Sequence, residues 1–233
     1  MKYLISPFFL LLFACDYDET PATVETAVPS IKASSVTLEA DGESRVTLSL
    51  DFDGNTPRAK TATEFRTTAG IFDENDKDIA SVFGEIDASQ KRVAQVTLIS
   101  PLKTGQADII AKVVGYVKTT TISLIPAKAD DMTLVPDKVS IKSAPDSEIK
   151  FTVNLFRKKG KPSLEREVKF KVTDGTNNEI GILREYRNKS DADGRCYFTF
   201  TLGTNPYTGP LKAEAKYDEG AITKTFDFIS IKP

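Results

Sequence analysis

Over much of the chain, apolar and polar residues alternate one by one in short runs: RVTLSLDF (45–52), AQVTLIS (94–100), EIKFTVNLF (148–156) and CYFTFTL (196–202). A period of two puts every second side chain on the same face, which is the signature of strands with one buried side. No stretch keeps a 3.6-residue period over a comparable length. Gly, Pro, Asn and Asp separate the runs, and about seven such strands fall in each hundred or so residues. The pattern predicts an all-β protein made of antiparallel two-sheet sandwiches of immunoglobulin type.

The runs also repeat. Val36, Leu38, Val46, Leu48, Leu50 and Phe52 map onto Val139, Ile141, Ile149, Phe151, Val153 and Leu155 at a constant offset of 103. Phe65 and Gly70 map onto Phe170 and Gly175 at 105, and Val96 and Leu98 onto Phe198 and Phe200 at 102. Gly105, Ile109, Ala111, Ile122 and Leu124 map onto Gly209, Ala213, Ala215, Phe226 and Phe228 at 104. A repeat of this length means two copies of one domain, over residues 30–126 and 127–233.

Within each copy, the stretches SDADGRCYFTFTL with TGPLKAEAKY, and RVAQVTLISPLKTGQADIIAKV, resemble the later half of bacterial Ig-like domains of the invasin/intimin group. In that group a D-x-G turn leads into an alternating strand, a Gly-centred loop and a V-x-A strand, and TTAGIF (67–72) is similar to its middle strand. The resemblance implies tandem Big-1-like sandwiches. Copy one departs from it, with Asp87-Ala88-Ser89-Gln90 in place of the D-x-G turn.

Ahead of the repeats, Leu4 to Ala14 is apolar apart from Ser6 and Pro7 and follows Lys2. The run is far shorter than the roughly 20 residues of a membrane-spanning helix, so residues 1–14 read as a secretory signal. Its end, Leu12-Phe13-Ala14-Cys15, resembles the lipobox of bacterial lipoproteins, which implies that Cys15 carries a covalent lipid. The alternative is a signal segment that merely contains a cysteine. Asp16, Asp18 and Glu19 follow at once, and up to Pro29 there are four acidic and no basic residues. Such a segment (15–29) cannot bury a core and is expected to be an extended tether. Its acidic start is similar to the export signal of Bacteroidota surface lipoproteins, implying the outer face of the outer membrane; a plain solvated tether is the alternative.

Composition narrows the chemistry. The chain has no His, no Trp and two Cys. Without His there is no Ser-His or Cys-His nucleophile pair and no imidazole metal site. With Cys15 lipidated, Cys196 has no disulfide partner; it corresponds to Ala94 and reads as a small buried apolar residue. The DFDGN (51–55) and DENDKD (73–78) runs lack the spacing of a calcium loop and read as turns. Glu165 and Glu167 share a strand face, but a sandwich supplies no cleft between them. We therefore expect no enzyme activity, no catalytic, metal or cofactor site, and no cofactor beyond the lipid. The formal net charge of −2 gives no reason to expect nucleic acid.

Charge differs between the halves: 11 cationic against 13 acidic side chains in 30–126, and 19 against 16 in 127–233. The acidic C–D loop of domain one (Asp73, Glu74, Asp76) and the basic B–C loop of domain two (Arg157, Lys158, Lys159) are expected to face each other across the junction, biasing the interdomain angle without locking it. Farthest from the lipid would lie the 143–147, 174–179 and 203–210 loops. In the last, GTNPYTGP offers Asn205, Tyr207 and Thr208 as a partner contact, or Tyr207 as a plug over the open end of the sandwich. Two functions remain, and the absence of tryptophan platforms favours the first: an accessory subunit packed against an outer-membrane barrel or other surface lipoproteins, with an adhesin or glycan-binding module as the alternative.

Overall fold

A computed structural model describes residues 29–145, 147–204 and 206–232. Domain one contains β1 (Lys32–Ala33), β2 (Thr37–Glu39), β3 (Arg45–Phe52), β4 (Thr63–Thr67), β5 (Ile71–Phe72), β6 (Ile79–Val82), β7 (Glu85–Ile86), β8 (Arg92–Ile99), β9 (Gly105–Val113) and β10 (Tyr116–Ile125). One sheet runs β1-β3-β8-β5, with β7 also on β8, and the other runs β2-β10-β9-β4-β6. Domain two contains β11 (Asp131–Pro136), β12 (Ser140–Lys142), β13 (Glu148–Phe156), β14 (Lys169–Asp174), β15 (Ile182–Arg187), β16 (Arg195–Thr201), β17 (Gly209–Tyr217) and β18 (Ile222–Ile231). Its sheets run β11-β13-β16-β15 and β12-β18-β17-β14. Each domain is an immunoglobulin-like sandwich, and the whole described chain is all-β.

The alternation seen in sequence is the burial pattern. Val46, Leu48, Leu50 and Phe52 point inward from β3, as Ile149, Phe151, Val153 and Leu155 do from β13. Leu50 faces Ala94 across β3 and β8, and Val153 faces Cys196 across β13 and β16, so the cysteine holds the position of the alanine. The second core is the more aromatic. Phe170 stacks on Phe198 at 4.6 Å, and Phe151 meets Phe170 and Phe228 at 5.1 and 5.7 Å. Each such pair contributes about 0.5–1.5 kcal/mol beyond its buried area.

Three details differ from the sequence expectation. The last strands pair Leu124 with Leu38 and Ser230 with Ile141, so Leu124 corresponds to Ser230 and not to Phe228. The cause is the F–G turn, two residues long in copy one (114–115) and four in copy two (218–221). Val36 and Val139 are 69% and 68% exposed, because each lies where the first strand crosses from one sheet to the other. Copy one also builds the D-x-G turn without its glycine. Asp87 accepts from the amides of Ser89 and Lys91, as Asp191 does from Asp193 and Arg195. Gln90 takes the left-handed φ of 61° where Gly194 has 77°.

Candidate functional site

The most elaborately bonded region outside the cores is where the domains meet. Between β2 and β3 the chain turns at Ala40–Ser44 around Asp41, whose side chain is 1% exposed. Asp41 Oδ1 accepts from the amides of Glu43 (2.9 Å) and Ser44 (2.6 Å) and from Ser100 Oγ (3.0 Å), and Oδ2 accepts from Ser44 Oγ (2.7 Å). Burial alone would raise the pKa of this carboxyl, but the bonds to Ser44, Glu43 and Ser100 together hold it below the usual aspartate value.

The B–C loop of domain two lies on this turn. Lys161 N donates to Asp41 O (2.9 Å), Leu164 N to Leu102 O (2.9 Å), Gly160 N to Glu43 Oε2 (3.2 Å) and Ser163 Oγ to Ala40 O (2.7 Å). Ser163 is fully buried and also accepts from Ala127 N (2.8 Å) in the linker. Gly160 has φ +66°, and a Cβ there would sit 2.9 Å from Asp41 Cβ and Cγ, so the loop approaches this closely only with glycine. Arg157 Nη2 donates to Glu39 Oε2 (2.8 Å) and its Nη1 lies 4.0 Å from Asp41 Oδ2. Beside them Tyr217, fully buried, closes the near end of domain two and receives Ala129 N at 3.4 Å.

The sequence placed Arg157 opposite Asp73, Glu74 and Asp76, and the structure gives it other partners. Asp73 receives Arg45 Nε and Nη2 at 3.3 and 3.4 Å, and Glu74 receives Thr97 N at 2.8 Å. Asp76 is an exposed turn residue with φ 56°. The buried ring of Phe72 ties this loop back to its own sheet, leaving Glu39 and Asp41 as the acidic partners. Lys158 and Lys159 are exposed, and only the Lys158 amide is held, by Asp130 Oδ2 at 2.8 Å. Because the junction is closed by backbone groups, it is held and not merely biased. Glu39, Asp41, Ser163 and Tyr217 escaped the sequence reading; Asp41-Gly42 followed by Ser44 was the available signal of a side-chain-capped turn.

At the far end, Tyr207 braces three loops. Its amide donates to Ser143 Oγ (2.9 Å) and its hydroxyl to Pro210 O (3.0 Å), while Gly175 N donates to that hydroxyl (3.4 Å). Ser230 Oγ donates to Tyr207 O (2.6 Å), and the half-buried ring packs on the second core. Thr208 is exposed, and Asn205 lies outside the described residues, as do Cys15, Asp16, Asp18 and Glu19.

No family model matches the chain, and no curated protein matches it. Among solved structures it is similar to the adhesin InvE of Yersinia pseudotuberculosis, with TM-score 0.54, 21% identity, and 86% of this chain and 58% of that one covered. It is also similar to invasin, described as a bacterial integrin-binding protein, with TM-score 0.59, 18% identity, and 87% and 39% covered. The fold is that of invasin-type tandem Ig-like domains. The chain spans just over half of the first structure and well under half of the second.

The remaining chemical candidates of this invasin-type pair have partners within the fold. Burial, reinforced by Asp191, pushes the Cys196 thiol up to about 12, and its Sγ lies 3.6 Å from Asn188 O. Asp53 caps its own turn by accepting from Asn55 N (2.8 Å), and Asp51 pairs with Lys32. Glu165 has φ 61° in a tight turn, and Glu167 takes Asn188 Nδ2 at 3.4 Å. Among the described residues no three His, Cys, Asp or Glu cluster as metal ligands.

Proposed function

We propose that the protein is a non-enzymatic surface module of adhesin type, a stiff two-domain rod held at its base by a lipid on Cys15 and presenting the loops of domain two outward. The observation that carries this reading is the junction. Five hydrogen bonds join residues 39–43 and 102 to the 157–164 loop, and four of them use a backbone group. A held junction keeps the distal loops about two domain lengths from the base, where a display function needs them. The invasin-type fold, shared with an adhesin and an integrin-binding protein, supports the same reading. The fourteen residues from Asp16 to Pro29 would add at most about 45 Å of reach. Asp16, Asp18 and Glu19 would direct export to the outer face of the outer membrane.

Two experiments test it. Cys15→Ala abolishes lipid labelling and releases the chain into the soluble fraction; continued membrane retention would refute the anchor. Purification of the lipidated chain from solubilised outer membranes, followed by binding to host-cell and glycan surfaces, tests the partner. Stoichiometric recovery of an integral barrel protein or another surface lipoprotein would replace the adhesin reading with that of an accessory subunit.

A further inference from the structure

The F–G turns of the two domains differ in a way the shared fold does not require. In domain two the turn is polar and engaged: Glu219 receives Arg166 Nη1 at 3.1 Å and the Tyr217 hydroxyl at 3.3 Å. In domain one the tip reads Val113-Val114-Gly115-Tyr116-Val117. Val113 pairs with Tyr116, so Val114 and Gly115 alone make the turn, with φ of 45° and 86°. Two left-handed residues define a type I′ turn, which favours Asn, Asp or Gly at both positions. Among the described non-glycine residues at positive φ, Val114 is the one that is β-branched, and such a side chain is a true outlier there. It gains no burial in return, since it is 65% exposed.

Exposed apolar side chains lie beside it. Val117 and Phe83 are 56% and 48% exposed, and Phe83 and Val114 line one groove with Ala62 and Val82 and with the charged Glu64 and Lys112. This is the end at which the chain enters domain one. Ala33 pairs with Leu48 and Lys32 with Ser49, so residues 29–31 lead back toward the Phe52 end of β3, and β10, which runs parallel to β2, begins at that same end of the sandwich beside the 114–115 turn. Lys112, opposite Val117 in the ladder, and Lys118 have no ion-pair partner among the described residues.

We propose that this hairpin tip rests in the interfacial layer of the bilayer that holds the Cys15 lipid, so that the base of domain one sits on the membrane. The proposal rests on the lipid reading of Cys15. A tether of fourteen residues keeps the tip within reach of that surface. Valine side chains and a tyrosine whose ring is apolar and whose hydroxyl is polar suit the boundary between acyl chains and headgroups. Lys112 and Lys118 would lie beside the tip with their ammonium groups toward lipid phosphate. The tension at Val114 is then explained: a side chain that is poor for the turn is retained because it is good for the contact.

The chain has no tryptophan, so a single introduced indole reports alone. Full-length lipidated Val114→Trp and, as a distal control, Thr208→Trp are placed in phosphatidylethanolamine/phosphatidylglycerol vesicles with brominated acyl chains. The indole at 114 should be blue-shifted and quenched severalfold, and that at 208 should not. Equal, water-like emission from both with lipid still detected on Cys15 would overturn the proposal alone, whereas absence of the lipid would overturn the anchor and the proposal with it. Val114→Asn, made in a Val117→Trp chain, should raise Tm by a few degrees and weaken the quenching. A lowered Tm would show that Val114 serves the fold and would overturn the proposal. Recovery of a membrane protein in place of bromolipid quenching would overturn it in favour of a protein partner.

Discussion

Removing one oxygen at Ser163 should weaken the junction more than any exposed ion pair could. In Ser163→Ala the carbonyl of Ala40 loses the donor at 2.7 Å and the amide of Ala127 loses the acceptor at 2.8 Å, at a site with no solvent access. Each buried backbone group left unpaired costs about 1–3 kcal/mol, and a hydroxyl-sized void adds little. Relaxation recovers part of this, because Ser163 N still donates to Ala127 O at 3.0 Å, so a net loss of about 2–4 kcal/mol is expected. For a pair unfolding as one unit of this size, that corresponds to a fall in Tm of roughly 4–16 °C. Calorimetry should show a single wild-type transition splitting into two in the variant, and small-angle scattering should show a broader distribution of lengths. Lys159→Ala, an exposed change in the same loop, is the control. If Ser163→Ala costs under about 1 kcal/mol and leaves the transition single, the hydroxyl does not staple the domains.

Tyr207→Ala should lower Tm by several degrees, since it removes the brace between the 143–147, 174–179 and 203–210 loops; loss of partner binding at unchanged Tm would instead identify a contact residue. Asp41 has a folded pKa below its unfolded value of about 3.9, so its contribution is complete above that pH and is lost as pH falls through the folded value. Asp41→Asn should therefore be less stable at neutral pH but lose less stability on acidification below about pH 4, and an unchanged acid slope by chemical denaturation would count against the assignment. Cys196, in a Cys15→Ala chain, should resist maleimide at pH 8 and react only on unfolding; rapid labelling of the native protein would contradict its burial.

The fold was legible because burial in a sandwich follows a period of two, and each copy checks the other. That comparison alone assigns Cys196 to the position of Ala94, and the strand register agrees. It went astray at the last strand because apolar residues alternate on both sides of a slip: Phe226 and Phe228 fit the pattern as well as Phe228 and Ser230 do. The junction was less legible. A charge run shows that a loop is basic but not which acid lies closest in space. The buried ring of Phe72, which holds the 73–78 run to its own sheet, is a tertiary effect that no local pattern records. The Asp87 turn shows the reverse case, a motif lacking its glycine that keeps the geometry because glutamine tolerates the left-handed φ at a modest cost.

In both domains the first strand crosses from one sheet to the other, and its second half, β2 or β12, runs parallel to the last strand, at Thr37–Glu39 on Ser123–Ile125 and Ser140–Lys142 on Ile229–Ile231. Tension entering through Pro29 and leaving through Lys128 pulls β2 toward the base and β10 away from it. The load then runs along the strands and across their hydrogen bonds, which must break together in shear; antiparallel neighbours pulled from one end would open like a zipper, one bond at a time. If the chain is anchored as proposed and dragged by flow or by a moving partner, it would resist extension at this seam of domain one. Its mechanical strength would be set by a few short parallel rungs more than by the size of its cores.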